Sequence, residues 1–222
     1  MGKEIFKYIL LFALFLFVGA LGVFGFKFVN QKLSVEQLKS PLALTQFSLE
    51  TAPSLSLRGK LTTVFGDVGW ESRTATEPAK LTAPRLLQQG EQITTGDNGK
   101  ATIDFPNLFS AVVYAKTKLD ILQTLPAHIV LGQESGTVEY LQASGNSISI
   151  RTHGLLANIQ NGNAIVTVSK TLPLITIVVK KGTVTVAYND AQQISQLQSI
   201  DAGNELFFYT NTRKTIIKPV RL

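Results

Sequence analysis

The two histidines are the residues of this chain with the chemistry to bind a metal or to act as general acids and bases. His128 and His153 lie far apart in the sequence, each on or beside an apolar segment, and no cluster of carboxylates lies close to either along the chain. A zinc site requires three or four ligands that the fold holds together. We therefore interpret both histidines as structural residues of strands or turns, and we predict no metal site.

The carboxylates offer two pairs that could approach each other across strands, Asp67 with Glu71 and Asp104 with Asp120. Glycoside hydrolysis uses two carboxyl groups that face each other in a cleft, and the sequence gives no indication of a cleft at either pair. The chain has no cysteine, no serine-hydrolase nucleophile elbow, no zinc-protease motif and no phosphate-binding loop. We therefore predict that the protein is not an enzyme, with no catalytic residues and no cofactor.

The basic residues concentrate at one place, near the C-terminus. Arg213, Lys214, Lys218 and Arg221 follow one another without an intervening acid, which predicts a basic tail over residues 211–222. Such a tail either contacts an anionic envelope polymer or lipid headgroups, or is simply a solvated chain end. The remaining charge is dilute, although the net charge is +6 and the pI is about 9.5. We therefore predict no nucleic-acid partner.

The N-terminal part of the chain contains a long apolar segment. Residues 8–26 carry no charge, and a helix of that length, rising about 1.5 Å per residue, spans roughly the 30 Å hydrocarbon core of a bilayer. We predict a single transmembrane helix here. The alternative is a signal peptide cleaved near Ala20, but the apolar run is longer than a signal sequence needs and continues to Phe26. Gly19, Gly22 and Gly25 share one face of this helix and would allow a second helix to approach.

The segments on either side of this helix complete the predicted domain organisation. Lysines lie on both sides of the apolar run, so the positive-inside rule does not decide the orientation. We expect residues 1–7 inside the cell and the bulk of the chain outside, since long domains translocate with little regard to charge. Residues 27–56 then form a stalk, and residues 57–210 form a β domain on the cell surface side of the membrane.

The β domain is predicted from short runs with alternating polarity. Ala101, Ile103 and Phe105 alternate with polar residues, which is the period of a half-buried strand. Similar runs of about five residues, separated by Gly, Asn, Asp or Pro, recur to the C-terminus. This pattern predicts an all-β fold of stacked antiparallel hairpins, either a sandwich or a β-solenoid-like arrangement. Residues 74–85 are predicted to form a loop, and residues 191–197 are the one later segment with a helical period.

A faint internal repeat runs through the later predicted strands. Those strands include Ile129–Leu131, Gly136–Leu141, Ile148–Arg151, Leu155–Ile159, Ala164–Val168, Leu174–Val179 and Thr183–Tyr188. Leu125-Pro126 precedes Gly136-Thr137-Val138 at nearly the same distance as Leu172-Pro173 precedes Gly182-Thr183-Val184. The similarity is either an internal duplication or a coincidence of β-strand and turn composition, and a duplication would favour stacked units that share one core.

Several short motifs occur in a fixed order over about residues 64–209. They are Gly66-Asp67-Val68, Leu87-x-x-Gly90-Glu91-x-Ile93-x-Thr95-Gly96, Ala101-x-Ile103-x-Phe105, Gly136-Thr137-Val138, Ser149-Ile150-Arg151-Thr152, Val178-x-x-x-Gly182-Thr183-Val184-x-Val186 and Ala202-Gly203-Asn204-Glu205-Leu206. In these motifs the chain resembles the FecR domain family, a bacterial extracytoplasmic β domain. One departure is Pro106-Asn107, where the family usually has an Asp-Gly turn, and we expect a variant hairpin turn there.

The resemblance implies an extracytoplasmic β domain beyond the membrane. Members of the family in iron-transport signalling carry a cytoplasmic anti-sigma segment before the membrane helix, and only residues 1–7 precede the predicted helix here. The leading prediction is therefore a non-catalytic binding or scaffolding module of the bacterial envelope. Its partners would be the bilayer, through residues 8–26, and an envelope protein or anionic polymer. The alternative is a transmembrane signalling component, a sensor or regulator of the FecR type, that works through a membrane partner.

Overall fold

The computed structural model describes residues 55–142 and 147–220. The predicted N-terminus (1–7) and membrane helix (8–26), and nearly all of the predicted stalk (27–56), lie outside the described residues. Within the described ranges, no helix has the length and apolar character needed to cross a membrane.

Alternating polarity forms strands throughout the described chain. In chain order the strands are β1 Gly59–Phe65, β2 Val68–Glu71, β3 Ala79–Lys80, β4 Arg85–Leu87, β5 Gln92–Thr95, β6 Lys100–Phe105, β7 Phe109–Val113, β8 Lys118–Leu125, β9 His128–Gln142, β10 Ile148–Thr152, β11 Leu155–Val168, β12 Leu174–Asn189, β13 Ser195–Asp201, β14 Asn204–Tyr209 and β15 Lys214–Pro219. The predicted all-β class is therefore confirmed. The pairing of β9 with β10 is parallel, so the sheet is mixed rather than wholly antiparallel.

Three long strands divide the sheet into two sections. The first section contains β3, β2, β5, β8, the first half of β9, β10, the first half of β11, the second half of β12, and β13, in that order. The second contains β4, β1, β6, β7, the second half of β9, the second half of β11, the first half of β12, β14 and β15. The strands β9, β11 and β12 therefore pass from one section to the other.

Each of these long strands bends at a residue with positive φ. The φ angles are +84° at Gly136, +50° at Asn161 and +76° at Gly182. The prediction of two separate strands around each of these positions is therefore wrong. A left-handed residue, or a bulge that adds one residue, redirects a strand without ending its hydrogen-bond ladder. The faint repeat has the same basis, since Gly136 and Gly182 occupy equivalent bends.

The two sections enclose one hydrophobic core. Alternate residues of each strand, such as Ile150 and Ile159 of the first section and Val166 and Ile177 of the second, are buried and belong to a single cluster. Because the inner residues of both sections contribute to one cluster, the sections face each other across it, as in a sandwich. Phe105 and Phe109 stack at 4.8 Å between ring centroids beneath the β6–β7 hairpin.

The turn between β6 and β7 has the predicted form, whereas residues 74–85 contain strands where a loop was predicted. The predicted variant hairpin turn is confirmed, since Asn107 has a φ of +62° between β6 and β7. The predicted loop over residues 74–85 is wrong in part, because it contains β3 and the start of β4. This segment is ordered by tertiary contact, with the Arg85 guanidinium 3.3 Å from the centroid of the Trp70 ring. Residues 211–222, predicted as a basic tail, contain the strand β15, which pairs with β14.

Residues 191–197 form a turn and the start of β13 instead of a helix. The Asp190 carboxylate accepts hydrogen bonds from the backbone N–H groups of Gln192 and Ile194, each at 2.9 Å. Asp side chains that bond to nearby backbone in this way favour turns over helices. The chain therefore reverses after β12, and β13 pairs with it.

Candidate interaction surface

One row of side chains crosses the outer face of the first section. Residues directly opposite one another in neighbouring strands share a face, and the registers of six adjacent strands, β8 to β13, define a continuous row. We call this row the Arg151 face. Its residues, in order across the sheet, are Asp120, Gly132, Arg151, Leu156, Ala187 and Leu197. Ile150 and Ala157, which precede or follow members of the row along the strands, are buried, so the row faces outward.

A cavity of about 370 Å³ opens on one side of Arg151. Its floor is at Gly132, where a Cβ atom would lie 3.1 Å from Cδ1 of Leu122 and 3.2 Å from Cβ of Asp120. A glycine in a strand interior often marks a place where another group approaches the backbone closely. The absence of a side chain at position 132 therefore keeps this cavity open beside the Arg151 side chain.

A shallower groove of about 440 Å³ lies on the other side of Arg151. Leu156, Ala187 and Tyr188 contribute to its lining. Leu197, at the far end of the Arg151 face, is 73% exposed. Arg151 thus lies between the cavity and the groove, and it borders both.

The acidic groups around the cavity already have partners. The Asp120 carboxylate accepts a hydrogen bond from the Gln92 amide, and the Glu134 carboxylate lies 2.8 Å from Nζ of Lys118. The hydrogen bond that the Lys118 ammonium group donates to Glu134 raises the pKa of Lys118. By contrast, Arg151 is exposed, and its side chain forms no hydrogen bond or ion pair with the described residues. Arg151 is therefore the available charge at the centre of this surface.

The histidines and carboxylates considered in the sequence do not form a common site in the described residues. His128 is at the exposed start of β9, and Nε2 of His153 lies 2.7 Å from the Glu134 carbonyl oxygen at the edge of the cavity. Asp104 is on β6 in the second section, whereas Asp120 is on β8 in the first. Asp67 lies in the bend before β2, and Glu71 is the last residue of that strand. Among the described residues, no group of three or more His, Asp or Glu is arranged to hold a metal ion.

Sequence reasoning placed Arg151 on a strand but did not identify it as a functional residue. A usable signal was present, because Arg151 stands between Ile150 and Thr152 on an alternating strand, which directs its side chain outward. A second signal was Gly132 within an otherwise apolar run. The sequence did not show that the two residues would be neighbours, since that depends on the parallel pairing of β9 with β10.

A second polar cluster lies on the outer face of the second section, around Glu139. Its carboxylate accepts hydrogen bonds from Nζ of Lys180 at 2.8 Å, the Tyr114 hydroxyl at 3.1 Å and the Asn163 amide at 3.2 Å. The Lys180 hydrogen bond is the main cause that lowers the pKa of Glu139. The cluster links β9, β11 and β12 to Tyr114, the residue that follows β7, and so stabilises the centre of this section.

We expect this cluster to make stability depend on pH. Because the pKa of Glu139 is lower in the folded state, its stabilisation is fully present above the unfolded-state pKa and is lost as the pH falls through the folded-state pKa. The unfolding free energy should therefore decrease less between about pH 5 and pH 3 in Glu139→Gln than in the unsubstituted protein. The difference should be only about 1 kcal/mol, because Lys180 is partly exposed and its charge is screened by solvent. Urea unfolding at both pH values measures this change. Glu77→Gln, in an exposed loop, is the control, and equal pH profiles for Glu139→Gln and the unsubstituted protein would contradict the prediction.

The comparisons with known proteins identify a fold. No family model matches the chain, so none confirms the FecR resemblance, and no curated protein matches it. Two crystal structures of a candidate anti-sigma factor from Parabacteroides distasonis, at 2.50 and 1.65 Å resolution, are similar to it. The sequence identities are 13% and 12%, and both TM-scores are 0.50.

Each match covers 58% of this chain and 59% of that chain, so the likeness extends over less than two thirds of the anti-sigma factor. At this sequence identity the likeness concerns the fold alone. Signalling members of the FecR family carry an anti-sigma segment, so these solved structures are of the kind that the FecR resemblance concerns. The chain therefore has an all-β fold similar to that of a candidate bacterial anti-sigma factor.

Proposed function

We propose that this protein is a non-catalytic binding module of the bacterial cell envelope, anchored by residues 8–26 with its β domain outside the cytoplasm. The apolar composition of residues 8–26 supports the anchor. The observation that carries the binding role is the Arg151 face, where an exposed arginine without a described partner lies between a cavity and a groove. We further propose that the bound partner is an envelope protein.

The composition of this surface supports recognition of a protein. Arginine is enriched among the residues that dominate the binding energy of protein interfaces, particularly where surrounding apolar contacts exclude water. Leu156, directly opposite Arg151, provides such a contact, and Leu197 adds a second leucine at the far end of the same face. Each is more than one third exposed. The planar guanidinium group also binds a partner carboxylate through two parallel hydrogen bonds.

A transmembrane regulator is the second candidate, and the fold comparison favours it. The similar solved structures belong to a candidate anti-sigma factor, which is a regulatory protein. In this role the β domain would bind its partner and transmit the bound state through the membrane helix to another membrane protein. Gly19, Gly22 and Gly25 would form the helix contact, so replacing all three with leucine should abolish a signalling complex while leaving binding by the β domain intact.

A single engineered thiol tests both the location and the binding surface. Because the chain has no cysteine, Leu197→Cys introduces the only thiol, at the exposed end of the Arg151 face. A membrane-impermeant maleimide that carries a photo-crosslinker should label this thiol in intact cells, and light should then trap the partner. Adding Arg151→Glu should reduce the crosslinked product at least tenfold, since removing a central arginine commonly costs about 2 kcal/mol or more of binding energy.

The size of the labelled band and one charge control complete the experiment. Labelling at 24.2 kDa supports an uncleaved anchor, whereas a loss of roughly 2 kDa indicates a cleaved signal peptide. Lys60→Glu, at an exposed position of β1 in the second section, reverses a charge away from the Arg151 face and should leave the crosslink unchanged. Labelling only after lysis would contradict the location, and an equal crosslink with Arg151→Glu would contradict the role of this surface.

A further inference from the structure

The strand β15 ends the second section with an open edge. Among the described residues its ladder partner is β14 alone. Ile216 and Ile217 are each 42% exposed, and, as consecutive strand residues, they face opposite sides of the sheet. An edge strand with unpaired backbone groups and exposed apolar side chains is able to pair with another extended chain.

The register shows which backbone groups are available. The Val220 N–H donates to the Gly203 carbonyl at 2.8 Å, and this bond continues the β14–β15 register beyond the pairing of Asn204 with Pro219. In an antiparallel ladder, alternate residues bond to the neighbouring strand and the others direct their N–H and C=O groups away from it. Counting back from Val220, the outward groups therefore belong to Thr215 and Ile217.

The charges of this strand indicate what would pair with it. Lys214 and Lys218 lie at its two ends and are exposed, and Arg213 precedes them, whereas Glu205 is the only acid of residues 204–219. If a second copy of β15 paired antiparallel, Lys214 of one copy would lie against Lys218 of the other, which is unfavourable. An acidic strand would instead place a carboxylate beside each lysine.

We propose that β15 accepts an extended acidic segment of a partner protein as an additional strand, a mode of peptide recognition known as β-augmentation. The complementary segment has an acid opposite Lys218, apolar residues opposite Ile217, Ile216 and Thr215, and an acid opposite Lys214. This inference goes beyond the proposed binding role of the Arg151 face. The two surfaces share no residue, so the failure of one proposal would leave the other standing.

A designed peptide tests the inference on the full-length protein in a mild detergent. The probe is fluorescein-labelled Thr-Asp-Val-Val-Val-Asp-Thr, and fluorescence anisotropy measures its dissociation constant. N-methylation of the first and third valines removes the N–H groups that face β15 and should weaken binding at least tenfold. N-methylation of the middle valine removes an N–H group that faces away, so we expect less than a threefold change. These peptides test the hydrogen-bond register without altering the protein.

Protein variants test the same contact from the other side. Ile217→Pro removes an outward N–H group without removing a bond to β14, and it should weaken binding about tenfold, whereas Ile217→Val should not. The double variant Lys214→Glu, Lys218→Glu should lose the acidic peptide and bind a peptide with lysines in place of both aspartates. Polyglutamate serves as a second ligand without a defined register. The proposal would be overturned if all the N-methylated peptides bound equally well, or if polyglutamate bound tightly and only the double charge variant abolished that binding. Either result would indicate simple attraction to an anionic polymer.

Discussion

Gly182→Ala is expected to destabilise the β domain by about 2–5 kcal/mol. Gly182 has a φ of +76° at the bend of β12, and a Cβ atom there would lie 2.5 Å from the Asn161 carbonyl oxygen and 2.8 Å from the Gly162 Cα atom. The left-handed conformation costs a residue with a side chain about 1–2 kcal/mol, and forcing extra atoms into a packed site adds roughly 1–3 kcal/mol. Both obstructing atoms are backbone atoms, so a side-chain rotation does not relieve the contact.

Gly203→Ala provides a matched control for this prediction. Gly203 has a φ of +83°, but no atom lies within 4 Å of the position that a Cβ atom would take. Its substitution should therefore cost only the conformational term, about 1–2 kcal/mol. Urea unfolding followed by the fluorescence of Trp70, the single tryptophan, measures both values. Equal losses at the two positions would show that close packing of the β11 and β12 bends does not constrain residue 182.

Gln133→Leu is the second substitution with a large expected effect, a loss of about 2–4 kcal/mol. Gln133 is 1% exposed, and its amide donates to the carbonyl oxygens of Gly136 at 2.9 Å and Val166 at 3.0 Å. Its Oε1 accepts a hydrogen bond from the buried Tyr140 hydroxyl at 3.0 Å. Leucine would remove all three bonds and leave the buried Tyr140 hydroxyl without Gln133 as its acceptor. An unsatisfied buried polar group costs about 1–3 kcal/mol.

A double-mutant cycle separates this network from simple packing. Tyr140→Phe removes the hydroxyl and should cost about 1–2 kcal/mol. The double variant Gln133→Leu, Tyr140→Phe should be more stable than the sum of the single effects predicts, because the hydroxyl that leucine would strand is then absent. Gln160→Leu, at an exposed position of β11, should change stability by less than about 0.5 kcal/mol. Additive single effects at Gln133 and Tyr140 would contradict the coupling.

Local sequence patterns were sufficient to predict strands and several turns. Ala101, Ile103 and Phe105 are all buried on β6, as their alternation predicts, because side-chain direction in a strand depends only on backbone geometry. Asn107 adopts the left-handed turn conformation that short polar side chains tolerate. These features involve neighbours in the chain, so no knowledge of the fold is needed to predict them.

Local patterns did not predict that the long strands β9, β11 and β12 continue through their bends. A glycine between two apolar runs reads as a turn, yet Gly136 and Gly182 redirect strands that continue on the other section of the sheet. Whether a positive-φ residue ends a strand or bends it depends on the partner strands on both sides. Likewise, residues 191–197 have a helical period, but pairing with β12 and the bonds to Asp190 select a turn and strand.

The amino-acid sequence by itself determined the all-β class, the alternation that separates core from surface, and the absence of cysteine chemistry, because each follows from residue type and local spacing. Only the tertiary structure decided that Arg151 lies between a cavity and a groove, and that β15 has a single ladder partner within residues 55–142 and 147–220. Both features depend on which distant segments pair and in what register. Shifting a strand by one residue would move Arg151 to the opposite face, and no local pattern specifies that register.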